Sequence, residues 1–281
     1  MMTVRSDNTA QMLNKVPEVT IYFWVIKVLC TTVGETAADF LNTHLNLGLT
    51  NTTYLMGSLL LITLFFQFRF RKYVPAIYWL AVVLLSVVGT QITDNLVDNF
   101  GVSLVTTTII FTIALAAIFA AWYASEKTLS IHSIYTTRRE AFYWLAILFT
   151  FALGTAAGDL TAERLNVGYL NSGLLFAALI AVVTIGHYAV KALLAVEHQR
   201  QASNAVLAFW LAYILTRPLG ASIGDLLSQS HDKGGLGLGT IGTSVIFLVT
   251  ILSLVVYLTI TSRDVTERRL SSSDEYSPSV I

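Results

Sequence analysis

The chain has 281 residues, 55% hydrophobic and 12% charged, with zero formal net charge and one cysteine. The charged share is about half the ~25% of a soluble domain. This balance excludes a disordered, collagen-like or nucleic-acid-binding chain, and a lone Cys30 excludes an internal disulfide or a Cys-rich metal cage.

A polytopic, all-α membrane protein remains, and its spans can be counted. A bilayer-crossing helix needs roughly 20 mostly apolar residues. In chain order the sequence predicts helices at 19–42, 52–70, 74–97, 101–124, 140–163, 168–192, 204–228 and 239–262. The even-numbered spans are free of embedded acids. The odd-numbered ones carry Lys27, Glu35 and Asp39, then Asp94, then Asp159, then Arg217 and Asp225.

Orientation follows from the lysines and arginines. Thirteen of the seventeen lie at the N-terminus (Arg5, Lys15), in the even-to-odd connections (Arg69, Arg71, Lys72, Lys127, Arg138, Arg139, Lys191, Arg200) or in the C-terminal tail (Arg263, Arg268, Arg269). Only Arg164 and Lys233 fall on the opposite side. By the positive-inside rule both termini are expected in the cytoplasm, with the protein in the cell (inner) membrane. Residues 1–18 read as a polar cytoplasmic N-terminus with no cleaved signal peptide, and 263–281 as a cytoplasmic tail, disordered from Ser271 onward.

The odd helices share one pattern, W-x9-G-x4-D. Trp24, Gly34 and Asp39 recur as Trp79, Gly89 and Asp94, as Trp144, Gly154 and Asp159, and as Trp210, Gly220 and Asp225. Four two-helix repeats follow, at 19–72, 74–127, 140–193 and 204–262. Every motif helix runs in the same direction, so the repeats are parallel, around one centre or in two pairs. The tryptophans are expected to anchor the inner interface, where the indole is favoured. A glycine is expected to open or precede each even helix, at Gly48, Gly101, Gly168 and Gly234.

The motif aspartate lies fifteen residues beyond the tryptophan, about 22 Å along a helix. That depth puts Asp39, Asp94, Asp159 and Asp225, together with Glu35, in the outer half of the bilayer. Charge there is costly and should face the protein interior or a water-filled cavity. A spacing of four places Asp98 and Glu163 on the same faces as Asp94 and Asp159. Thr90, Gln91, Thr93 and Asn95 add neutral oxygens in the second repeat. Lys27 and Arg217 are the embedded compensating cations; a purely structural reading pairs Glu35 with Lys27 and Asp225 with Arg217. A third pairing sets Arg217 against Glu35 or Asp39 in the empty state. Pro218 is expected to kink the seventh helix. Oxygen-only ligands favour hard cations such as Mn²⁺, Mg²⁺ or Ca²⁺, or protons.

With G-E-T-x-x-D in the first copy and G-x4-D in the later ones, the chain resembles a family of prokaryotic multi-pass membrane proteins built from four two-helix repeats of unknown function. The resemblance covers about residues 17–262. It implies the eight-helix, four-repeat architecture and an association with metal handling, manganese in particular. The resulting expectation is a secondary transporter for a divalent metal cation, perhaps a proton-coupled exporter, with Glu35, Asp39, Asp94, Asp159 and Asp225 as its metal and proton ligands. Its partners are the lipid bilayer and the transported cation, with no nucleic acid and no resident cofactor. No enzyme is expected: no Walker motif is present. Gly158-Asp159 and Gly224-Asp225 fall short of the Gly-x-Gly-Asp signature of intramembrane aspartyl proteases, because Ala156 and Ser222 occupy its first position. The alternatives are a non-transporting sensor or structural protein, a channel, against whose symmetric pore the mismatched repeats argue, and last the protease.

Overall fold

The computed structural model describes residues 14–193 and 198–265. Arg5, Arg268, Arg269, the polar tail from Ser271 and the side chain of Arg200 lie outside what is described. The described residues are helical, with no strand. Among the described residues, eight helices carry spans of 22 to 28 residues, π-helical turns included, that are long and apolar enough to cross a membrane. They are α1 (Ile21–Asp39), α2 (Gly48–Arg69), α3 (Pro75–Asp94), α4 (Leu104–Glu126), α5 (Thr137–Asp159), α6 (Tyr169–Leu193), α7 (His198–Ser228) and α8 (Gly239–Thr261).

Local sequence sets the helix ends. Thr20, Ser103 and Thr136 accept bonds from the first-turn amides of α1, α4 and α5. Pro75 opens α3, where its missing N–H costs nothing. α2 begins four residues before the sequence-based boundary. Asn46 (φ 54°) and Gly48 (φ 71°) there make a tight left-handed turn, and Asn166 (φ 57°) and Gly168 (φ 79°) repeat it before α6. In the fourth repeat Gly234 (φ 84°) precedes the even helix and Gly239 (φ 74°) opens it, after a longer intervening loop. α7 passes through Pro218 as one continuous helix.

The first three motif helices continue beyond their aspartates by one π-helical turn, Phe40–His44, Asn95–Asn99 and Leu160–Arg164. Each turn closes with a bond spanning five residues, as in Leu45 N–H to Phe40 O at 3.2 Å. Such turns are rare and cluster at functional sites. The fourth repeat lacks one: Gln229 N–H bonds Asp225 O in ordinary α register.

The helices form two concentric rings. The motif helices make the inner ring in the order α1, α3, α5, α7, each packed on the next and α7 closing on α1. Each even helix packs on the following motif helix: α2 on α3, α4 on α5, α6 on α7 and α8 on α1. The arrangement is pseudo-fourfold, the single-centre alternative of the two sequence expectations. The outer helices turn large apolar side chains outward, among them Leu61, Ile113, Ile185 and Leu252, all more than 60% exposed. That exposure suits lipid and explains why the even spans carry no charge.

Two cyclic contact sets hold the inner ring together. In the first, each motif glycine lies against the residue three before the next repeat's glycine: Gly34 on Ser86, Gly89 on Phe151, Gly154 on Arg217 and Gly220 on Thr31. Small residues permit this close approach. In the second, the aromatic residue preceding each tryptophan packs, tilted, against the next repeat's tryptophan. Phe23 meets Trp79 at 5.6 Å, Tyr78 meets Trp144 at 5.4 Å, Tyr143 meets Trp210 at 6.2 Å and Phe209 meets Trp24 at 5.7 Å between ring centroids. Tyr78 and Tyr143 also share a hydroxyl hydrogen bond of 2.5 Å. Trp79, Trp144 and Trp210 are therefore buried and Trp24 half-buried, which corrects their expected place at the lipid interface. A closed aromatic girdle buries more ring surface than four separate anchors would.

Candidate functional site

The two ends of the inner ring differ in charge. At the basic end, below the aromatic girdle, Lys15 and Glu140 form a fully buried ion pair at 2.5 Å. Lys15 uses its other two donors on the carbonyls of Gln67 (3.1 Å) and Phe68 (3.2 Å), at the C-terminus of α2. Gln67 (3.0 Å) and the Trp144 indole (3.5 Å) donate to Glu140. Nearby, the Tyr73 hydroxyl donates to Asp264 at 2.6 Å, and Glu18 N–H bonds the Asp264 carbonyl at 2.9 Å. Burial pushes the Asp264 carboxyl above its usual range, against the opposing Tyr73 bond. The segment before α1 and the segment after α8 are thus strapped together across this end.

The centre is built around Arg217. Its guanidinium reaches all the other motif helices. It donates to the Thr31 carbonyl (3.1 Å) and the Glu35 carboxylate (2.7 Å) on α1, to the Thr90 hydroxyl on α3, and to the Thr155 hydroxyl on α5 (2.7 Å). α3 stands opposite α7 in the ring, so the side chain crosses the bundle axis. Glu35, Thr90 and Thr155 are each the residue after a motif glycine. One arginine in the fourth repeat therefore bonds the equivalent position of the other three. Arg217 is fully buried, whereas the Glu35 side chain keeps 9% exposure. Glu35 is thus the less buried member of the pair.

The motif aspartates lie one turn above that floor, about 6 Å along the axis. Each is four residues beyond Glu35, Thr90, Thr155 or Ala221 and shares its helix face. Asp94, Asp159 and Asp225 all lie within electrostatic reach of Glu35 and Asp39. Asp39, Asp94 and Asp159 are half-buried and Asp225 is buried. Among the described residues, no protein donor bonds the carboxylates of Asp94, Asp159 or Asp225, whereas Gln229 donates to Asp39 at 3.2 Å. One turn higher, Asp98 and Glu163 are exposed at the rim. Lys233 lies within reach of Asp39 and Glu163. Acids on three successive helix turns, becoming more exposed with distance from the buried guanidinium, make up what we call the acidic funnel.

Several sequence expectations change here. Arg217 pairs with Glu35, the third of the pairings read from the sequence, and neither the Asp225–Arg217 nor the Glu35–Lys27 pair forms. Lys27 instead places its ammonium 4.2 Å from the ring centroids of both Phe151 and Tyr213 and donates to Thr216 at 3.2 Å. Gln91 and Asn95 do not join the funnel. The Asn95 amide ties α3 to Thr53 of α2 at 2.8 Å. Gln91 is buried two residues after its glycine, and both of its amide atoms lack a partner. In α1 and α7 the same position bonds the outer helix, Thr36 to Ser244 at 2.7 Å and Ser222 to Ser172 at 3.1 Å. Thr90 and Thr93 are also engaged within the ring, Thr93 donating to the Ala152 carbonyl at 3.0 Å. Among the described residues, no three His, Cys, Asp or Glu side chains gather closely enough to hold a metal ion. The acids are spread over successive turns rather than forming a ready chelate.

Sequence reasoning missed the residue preceding each tryptophan (Phe23, Tyr78, Tyr143, Phe209) and the position three before each glycine. Both signals were present as regular columns of the repeat.

With this geometry in place, the family model for the Repeat of Unknown Function (DUF347) matches four times, at residues 22–73, 77–128, 142–192 and 208–264. The chain belongs to that family. Each match contains one motif helix and one outer helix. No curated protein and no solved structure matches the chain.

Proposed function

We propose that this member of the repeat family is a secondary transporter for a small cation, with a hard divalent ion of the Mn²⁺ type as its substrate and protons as the exchanged ion. The observation that carries the reading is the placement of Glu35 and four equivalent aspartates in one funnel, with a single arginine as the charge beneath them. The basic end is assigned to the cytoplasm of the cell membrane, because Lys and Arg concentrate there. The funnel then opens outward and the aromatic girdle closes the inner side. Arg217 serves as the internal counter-ion of the empty site. A cation entering the funnel competes with it for Glu35. Since the carboxylates are too far apart to chelate together, tight binding requires the four motif helices to draw in, and that movement supplies the coupling between binding and closure. The chain carries out no covalent chemistry in this reading and needs no resident cofactor.

The test is reconstitution in proteoliposomes with Mn²⁺ and proton flux recorded together. Wild-type protein should exchange the two. Asp39→Asn and Asp159→Asn should each slow exchange at least tenfold. Wild-type liposomes that match empty ones for Mn²⁺, Mg²⁺ and Ca²⁺ would overturn the proposal and favour a non-transporting sensor or structural role.

A further inference from the structure

The fourth repeat departs from the others where its motif helix ends. The first three motif helices run into a π-helical turn, whereas α7 runs into a longer loop that folds back on it. Leu236 N–H bonds the Leu226 carbonyl at 2.6 Å, Gly237 N–H the Gln229 carbonyl at 2.8 Å and Leu238 N–H the Leu227 carbonyl at 2.9 Å. The loop thereby satisfies carbonyls that a helix end leaves without an intrahelical partner. Gly235 is buried in this fold-back, where a Cβ would clash with the Gln229 backbone. The segment is thus pinned to the end of α7, and it brings two side chains to the acids. Gln229 donates to Asp39 at 3.2 Å. Lys233, in the short turn His231–Lys233, lies within electrostatic reach of Asp39 and Glu163. α7 stands between α1 and α5 in the ring, so one ammonium acts on an acid carried by each neighbour. Lys233 is exposed, a hydrated point charge on a flexible stem. Only one other Lys or Arg, Arg164, lies in the outer connections.

We propose that Lys233 sets the cation affinity of the acidic funnel: a tethered ammonium that competes with an incoming cation for the rim acids Asp39 and Glu163. A charge held beside a group of acids lowers the local concentration of other cations, and a tether keeps its own effective concentration high. A divalent ion, with twice the charge, displaces such a competitor more readily than a monovalent one does. The inference rests on the carrier reading for its biological meaning, because the competitor acts on the same acids, but its main test reads local potential and needs no transport.

Glu163→Cys puts a thiol at the exposed rim, while the native Cys30 is fully buried. In detergent at low salt, the rate at which this thiol reacts with trimethylammonium-ethyl methanethiosulfonate is divided by its rate with neutral methyl methanethiosulfonate. Adding Lys233→Gln should raise that ratio by at least about threefold, and the rise should shrink at about 1 M salt, where screening acts within ~3 Å. Lys233→Arg, which keeps the charge, should leave the ratio unchanged. An unchanged ratio in Lys233→Gln, or an equal rise in Lys233→Arg, would overturn the proposal. In liposomes, Lys233→Gln in the otherwise native chain should lower the Mn²⁺ concentration for half-maximal exchange by at least about threefold. An unchanged thiol ratio combined with active wild-type Mn²⁺ exchange defeats the role of Lys233 alone. A raised ratio combined with inactive wild type defeats the carrier reading alone.

Discussion

Replacing Glu35 and Arg217 separately and together gives a sharp test of the central hub. Removing one partner of a buried ion pair costs about 3–5 kcal/mol, whereas replacing both is often close to neutral. Glu35→Gln leaves Arg217 fully buried, but its bonds to the Thr31 carbonyl, Thr90 and Thr155 survive. Its expected cost is near the lower limit, about 3 kcal/mol. Arg217→Gln strands the carboxylate and also empties those three bonds, which places it near the upper limit, about 5 kcal/mol. The double variant has no stranded charge and loses only the three bonds, at about 1 kcal/mol each. The singles together then reach about 8 kcal/mol and the double about 3, a coupling of about 5 kcal/mol from the values above. The assay is chemical or thermal unfolding in detergent, followed by helical signal for all four proteins. Additive losses, with the double variant the least stable, would refute the hub as a charge-balanced unit.

Three further outcomes follow from the packing. An added Cβ at Gly89 would lie 2.7 Å from Phe151 Cβ and 3.1 Å from the Ala152 backbone nitrogen, whereas at Gly186 on α6 nothing lies within 4 Å. Gly89→Ala should therefore lose about 1–3 kcal/mol by overpacking, and Gly186→Ala should be neutral or gain up to about 1 kcal/mol of helix propensity, as read by melting midpoints in detergent. Lys15→Met should cost about 3–5 kcal/mol by stranding Glu140, and Lys15→Met/Glu140→Gln should recover most of it in the same unfolding assay. Asp264 holds its proton more tightly folded than unfolded, so its contribution to stability is present at low pH and lost as pH rises through its raised folded range. Asp264→Asn should accordingly be more stable than wild type at pH 8, with the gap closing as pH falls; a constant gap across pH would refute the assignment.

The eight spans and the repeat were legible because both are written in periodic, one-dimensional signals: uncharged runs of bilayer length, and tryptophan, glycine and aspartate at fixed spacing. Closure of the ring was not. It depends on which residue of one repeat faces which residue of the next, and no spacing within a repeat carries that information. The tryptophans show the consequence. Taken singly, an indole near a helix end reads as an interfacial anchor. Read with Phe23, Tyr78, Tyr143 and Phe209 beside them, the four make a girdle. Of the pairings the sequence offered for Glu35, the structure forms the one with Arg217, which reaches it from the neighbouring helix, and not the one with Lys27 on its own helix.

The hub also bears on why four repeats share one polypeptide. A two-helix unit assembling as a symmetric tetramer would repeat every side chain four times around the axis. At the level of Arg217 it would present four guanidiniums or none, and at the level of Glu35 four carboxylates or none. Here those positions read Thr31, Ser86, Phe151, Arg217 and Glu35, Thr90, Thr155, Ala221. Joining the copies end to end frees each quarter of the ring to diverge, and the interior holds a one-to-one charge stoichiometry that rotational symmetry forbids. The four aspartates above have kept the symmetric pattern, so a single chain combines a fourfold acidic rim with a centre that has a direction.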